Sequence, residues 1–185
     1  MFESVIDYYM HCICQQHKLV AAKKSNKQFY YCHTSLQIYL QPAPHYQYDY
    51  ENLRKWTRKN VPHNNIFKCD ALSFPWNINR NHWILIVAFM KEKIIQVFSS
   101  LPGHHRQAAK AVFRFLMDED WNKQNGSNIP YPNKWIIHFS TPQAPLQRNG
   151  YDCGVSVCMT ADFLSNGWPL VYTQDHVAQC HVWMA

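Results

Sequence analysis

Residues 83 to 90 read WILIVAFM, eight apolar residues with no polar one among them. A strand with one wet face alternates apolar and polar side chains. An unbroken apolar run of this length is what a strand covered on both faces requires. The chain must therefore supply layers on both sides of a sheet. The run is also the longest apolar stretch, and it is far too short to span a bilayer.

The rest of the pattern supplies those layers. Val5, Ile6, Tyr9, Met10 and Ile13 recur at three- and four-residue intervals and predict an N-terminal amphipathic helix. Lys18 to Lys27 is polar and basic and reads as a loop. Tyr30 to Leu40 predicts a second helix closed by Pro42 and Pro44. Asp49 to Lys59 predicts a third, with Leu53 and Trp56 inward and Arg54, Lys55, Arg58 and Lys59 on a solvated face. Strands are expected at Ile66–Phe74, Trp83–Met90, Ile94–Phe98 and Trp135–Phe139. Between them, Arg106 to Trp121 carries a helical stripe of Ala109, Val112, Phe113 and Leu116, and Lys123 to Asn133 is a loop. A helix starts at Cys153 and runs to about Leu164, stopped by Asn166-Gly167 and Pro169. Thr173 caps a last helix. Helices first, then strands wrapped by helices, make an α+β fold, here as one domain over residues 1–185.

Composition narrows the class of function. Seven cysteines, an odd number at irregular spacing, and a start MFESVIDYYM without the basic segment or cleavage site of an export signal point to reduced thiols in an intracellular protein. The net charge of +6 suits an acidic partner surface or nucleic acid. Lysines and aromatics do interleave at Lys23, Lys24, Lys27, Phe29, Tyr30 and Tyr31, but no nucleic-acid motif accompanies them. His11, Cys12 and Cys14 lack the ligand spacing of a zinc site, and no Gly-rich run exists to cradle phosphate. No metal or cofactor, no membrane and no nucleic acid are expected.

The chemistry gathers in QRNGYDCGVSVC, residues 147 to 158. A cysteine is a good nucleophile only as thiolate, and a helix start favours the anion because its free amides and dipole point there. Asp152-Cys153-Gly154 sits at such a start. Gly154 removes a side chain where a substrate carbonyl would approach, and Asn149-Gly150 lets the chain turn sharply just before. Gln147 can reach round that turn and aim its NH₂ beside the sulfur, completing a two-donor oxyanion hole with the Cys153 backbone N–H. The same residues also read as a buried cysteine opening a core helix. A thiol nucleophile needs a base. Of 11 histidines, His82 stands out because it opens the buried strand right after the polar stretch Asn77–Asn81, at a mouth facing a cleft.

These stretches resemble the sentrin/SUMO-specific cysteine proteases, the Ulp-type peptidases of the papain-like fold. Asn81-His82-Trp83-Ile84-Leu85 is similar to that family's His-Trp-x-Leu motif. Gln147-Arg148-Asn149-Gly150-Tyr151-Asp152-Cys153-Gly154 is similar to its Gln-x-Asn-Gly-x-Asp-Cys-Gly motif. Val5–Met10, Leu53–Thr57 and Tyr172–His176 resemble its flanking helices and closing segment. The resemblance implies a central mixed sheet flanked by helices. It also implies Cys153 as nucleophile, His82 as general base and then acid, and Gln147 as oxyanion donor. Trp83 would stand beside a narrow channel, with Gly150 and Gly154 leaving room for the substrate. The implied substrate is a SUMO-like ubiquitin-like modifier ending in Gly-Gly, as precursor or as conjugate, and the implied partner is that modifier.

Two departures from the family pattern qualify this. The family's orienting aspartate belongs 17 residues after the histidine, in a stretch like Tyr-x-Asp-Ser; here position 99 is serine, within Val97-Phe98-Ser99-Ser100-Leu101. Loss of that aspartate drops a serine-triad enzyme about 10⁴-fold, and a more acidic thiol should depend on it less. Ser99 in that role predicts a slower peptidase; the alternative is a module that binds the modifier without cutting it. The family's strand and Trp-Leu pair ahead of the first helix also have no counterpart after Met1, so the expectation is either a fragment or divergent product, or another aromatic such as Phe2 as the lid of the channel.

Overall fold

The computed structural model describes residues 3–21, 28–41, 47–61, 64–123, 134–141 and 144–184. Its elements are α1 (Glu3–Ala21), β1 (Phe29–Tyr31), α2 (Gln37–Leu40), α3 (Tyr50–Asn60), β2 (Ala71–Ile78), β3 (His82–Phe89), β4 (Ile94–Phe98), α4 (Arg106–Lys123), β5 (Ile136–His138), α5 (Cys153–Asn166) and α6 (Gln174–Met184). The five strands form one sheet in sequence order. The outer pairs, β1 with β2 and β4 with β5, are parallel, and the inner pairs are antiparallel. This is the expected α+β architecture, a mixed sheet flanked by helices.

Both faces of the sheet are covered, which explains the unbroken apolar run. Ile84, Ile86 and Ala88 enter one core with Leu72, Phe74, Trp76, Val97 and the α4 residues Val112, Phe115 and Leu116. Trp83, Leu85 and Val87 enter the other, with Ile6, Met10 and Ile13 of α1 and Cys153, Val157 and Cys158 of α5. Ile84, Leu85, Ile86 and Val87 are all fully buried, each contributing about 1.5–3 kcal/mol from removal of apolar surface. The strand therefore joins the two cores, and its first residue is His82.

Three expectations are corrected. The segment Tyr30–Leu40 is not one helix: Phe29–Tyr31 pairs with Ala71–Ser73 as a short strand, and only Thr34–Leu40 turns helically. Side chains of Phe29 and Tyr31 face the α1 core, a tertiary pairing that overrides local periodicity. The strand placed at Ile66–Phe74 starts later, because Asn65 caps a 3₁₀ turn at Ile66–Lys68, and it runs on to Ile78. Pro75 is tolerated inside it because β1 ends opposite Ser73, leaving β2 an edge from there on. The loop at Lys18 also begins too early, since α1 continues to Ala21. Residues 22–27, 42–46, 124–133 and Phe2, on which other expectations fall, lie outside the described residues.

Candidate active site

His82 is delivered by a tight turn. Asn79 and Arg80 both adopt positive φ, 51° and 58°, a conformation Asn tolerates and Arg seldom adopts. The turn is braced on one side by Asn81 N donating to Ile78 O at 3.0 Å. On the other, the Gln37 side-chain amide pairs with the Asn77 backbone: Asn77 N donates to Gln37 Oε1 at 2.8 Å, and Gln37 Nε2 donates to Asn77 O at 2.7 Å.

The ring of His82 is half-buried, with Nε2 3.0 Å from Ser99 Oγ. Ser99 directly follows β4, which pairs with β3 and so brings the two together. The Ser99 hydroxyl has a single proton, and it donates that proton to Leu101 O at 2.7 Å while accepting from Leu101 N at 3.3 Å. Its oxygen can then only accept from the imidazole. His82 is accordingly protonated on Nε2, and its lone pair sits on Nδ1, which is buried and has no hydrogen-bond partner among the described residues. Burial, and then the nearby His105 with ring centroids 6.2 Å apart, push the His82 pKa below its usual value. The ring is a neutral base with its free nitrogen defined.

Cys153 opens α5 and is 6 % exposed, in the same apolar cluster as Trp83, Phe98 and Ala144. The Asp152 side chain does not cap the helix, and the Cys153 backbone N–H, at the first helical position, has no intrahelical acceptor. No hydrogen bond joins the sulfur to His82, whose Nδ1 has no partner among the described residues. Trp83, expected beside an open channel, is only 4 % exposed and packs in the same buried cluster as Cys153.

The loop before Cys153 is a connected polar network. Gln147 N donates to Ser100 O at 2.9 Å. Gln147 Oε1 accepts from Ser100 Oγ at 2.5 Å, and Gln147 Nε2 donates to Asn149 O at 2.5 Å. Asn149 Oδ1 accepts from the backbone N–H groups of Tyr151 and Asp152, each at 3.1 Å. The buried Asp152 carboxylate accepts from Asn149 Nδ2 at 2.7 Å and from Gln174 Nε2 of α6, and Gln174 Oε1 accepts from Arg148 N at 2.9 Å. The turn is thus built by the Asn149 side chain. The turn was expected of the pair Asn149-Gly150, and Asn149 makes it; Gly150 is not at positive φ, and a side-chain carbon added there would meet open space. Gly154 is buried in the first turn of α5. Sequence reasoning assigned no role to Gln174 or Ser100, although both lay inside quoted stretches, Gln174 in Tyr172–His176 and Ser100 at the serine of Tyr-x-Asp-Ser.

Comparison with known proteins follows the same lines. The profile of the Ulp1 protease family, C-terminal catalytic domain, matches residues 1–185. The chain belongs to the Ulp1 protease family. It is 31% identical over 131 residues to the ubiquitin-like-specific protease ESD4 of Arabidopsis thaliana, covering 70% of this chain and 26% of that protein. It is 27% identical over 178 residues to human sentrin-specific protease 2, covering 95% of this chain and 27% of that protein. The chain thus spans about a quarter of the length of these relatives. The fold matches the Chaetomium thermophilum Ulp1-like SUMO protease catalytic domain with a TM-score of 0.76 at 18% identity, over 100% of this chain and 70% of that one. It matches the C-terminal Ulp1 protease domain solved in complex with Smt3, the yeast ortholog of SUMO, with a TM-score of 0.69 at 22% identity, over 96% of this chain and 71% of that one. Among the described residues, no cluster of His, Cys, Asp or Glu is arranged to hold a metal, and no helix is long and apolar enough to cross a membrane.

Proposed function

We propose that residues 1–185 form a cysteine peptidase catalytic domain that cleaves after the C-terminal Gly-Gly of a SUMO-like modifier, in a precursor or in an isopeptide. Family membership supports the class of reaction. The observation that carries the reading is the direction of the His82–Ser99 hydrogen bond. It leaves the Nδ1 lone pair of a neutral imidazole free at the strand mouth, the state a general base must have.

The steps follow from the residues. The Cys153 thiol passes its proton to His82 Nδ1 as the sulfur attacks the glycine carbonyl carbon. The developing oxyanion takes the Cys153 backbone N–H and the Gln147 N–H left over from the Asn149 contact. His82 returns the proton to the leaving amine, giving a thioester. Water, deprotonated by His82, attacks the thioester and frees the modifier carboxylate. The sulfur–imidazole contact, absent here, closes as substrate enters; catalytic hydrogen bonds commonly tighten only in the Michaelis complex. Gly154, buried in the first turn of α5, leaves room beside Cys153 for the Gly-Gly tail; Trp83 lies in the core, not on an open channel wall. The charge of +6 suits an acidic modifier surface. None of the seven cysteines is in a disulfide, which fits a reducing compartment, nucleus or cytoplasm.

The rival is a module that binds the modifier without cutting, because Ser99 replaces the orienting aspartate. Ser99 supplies the tautomer but no charge, and this favours a slower peptidase. The test is turnover of a panel of ubiquitin-like modifiers carrying C-terminal fluorogenic amides, with Cys153→Ser as control. Turnover by the wild type alone, on a SUMO-like member of the panel, is expected. Tight modifier binding by both proteins with turnover by neither would establish the rival.

A further inference from the structure

Ser99 and Ser100 directly follow β4 as consecutive residues, and their hydroxyls take different partners. The first meets the base. The second meets Gln147. We propose that Ser100 is the positioning residue for Gln147, fixing the direction of its amide so that an N–H, not the carbonyl oxygen, faces the reacting centre. The proposal rests on the peptidase reading above and assigns a further part of the same site.

The assignment follows from what each partner is able to do. The Asn149 carbonyl can only accept, so the Gln147 atom 2.5 Å from it must be the NH₂ group. Reversing the amide would set two acceptor oxygens against each other at that distance. The other end, Oε1, then needs a donor, and Ser100 Oγ supplies one at 2.5 Å. The Gln147 backbone N–H is fastened to the carbonyl of the same serine at 2.9 Å. Ser100 and Gln147 are 4% and 9% exposed, so bulk water cannot replace the hydroxyl. With both ends fixed, one amide N–H remains for the oxyanion. Without the hydroxyl, Oε1 would be a buried acceptor lacking its donor, and the amide would turn to seek another. One Ser-Ser pair thus sets both the tautomer of the base and the direction of the oxyanion donor.

The test is a double-mutant cycle of Ser100→Ala and Gln147→Ala, read on a SUMO-like modifier carrying a C-terminal fluorogenic amide. Removing an oxyanion donor outright costs roughly 100- to 1,000-fold in kcat. Ser100→Ala, which only releases that donor, should lower kcat about tenfold and leave KM within about twofold. In the Gln147→Ala background the same change should have no further effect, because its target is gone. Independent penalties in the double variant, or an unchanged kcat in Ser100→Ala, would overturn the assignment while leaving the peptidase reading intact. A wild type that turns over nothing would overturn both. A second readout needs no variant: the Gln147 side-chain amide proton held by Asn149 O should be slow to exchange with solvent in NMR in the wild type, and fast exchange of that proton would count against the assignment.

Discussion

The two halves of the site are held by unlike means. On the nucleophile side, Gln147, Asn149, Asp152 and Gln174 form a connected chain of hydrogen bonds that includes one buried carboxylate. On the base side, His82 is held by one neutral hydroxyl whose own proton goes to a carbonyl. The first half is over-determined, so breaking it should cost stability as well as rate. The second is held loosely and without charge, so changes there should move rate and pH dependence and spare the fold.

That contrast can be broken or sharpened by four measurements. The largest effect belongs to His82→Ala, which removes the base: kcat should fall about 1,000-fold, within the range general acid–base catalysis supplies, with an unchanged melting curve. Asp152→Ala should lose activity and also destabilise by about 3 kcal/mol, since a carboxylate 2% exposed leaves two donors unpaired; chemical denaturation would read this. An Asp152→Ala protein as stable as wild type would erase the contrast. Ser99→Asp should raise kcat/KM roughly tenfold, well short of the ~10⁴ seen in serine triads, and should move the acid limb of the pH profile upward by stabilising imidazolium. The smallest effect is expected of His105→Gln, which should shift that limb upward slightly by removing a neighbouring positive charge.

The acid limb itself has a defined sign. Burial first, then His105, hold the His82 pKa below the ordinary 6.5. The neutral base therefore persists to lower pH than a free imidazole would allow. In folding terms, the unfolded chain binds a proton in that window which the native ring refuses. The stability involved is fully present above pH 6.5 and declines as the solution is acidified from there toward the lowered value.

How much of this was legible in the sequence varies with the range of the interaction. The buried strand at 83–90 announced itself because covering both faces suppresses alternation. The helix from Cys153 was legible from its stop, and Gly167 indeed ends α5 with φ 71°. The strand at Phe29–Tyr31 was hidden, because three residues carry no periodicity and their pairing lies 42 residues away at Ala71–Ser73. At the site, the motifs named Cys153, His82 and Gln147, and arithmetic found Ser99. Neither could show which way the Ser99 proton points, since that depends on the Leu101 carbonyl. Ser100 escaped for the same reason: its partner lies 47 residues downstream.

The outer margin of β2 beyond Ser73 is shut against intruders. Pro75 offers no amide where a visiting chain would seek one, and Gln37 already occupies both backbone groups of Asn77. A protein built around so greasy a ribbon would otherwise risk stacking edge to edge into fibrils. Here the side chain that steadies the hairpin beneath His82 also works as a guard against self-association.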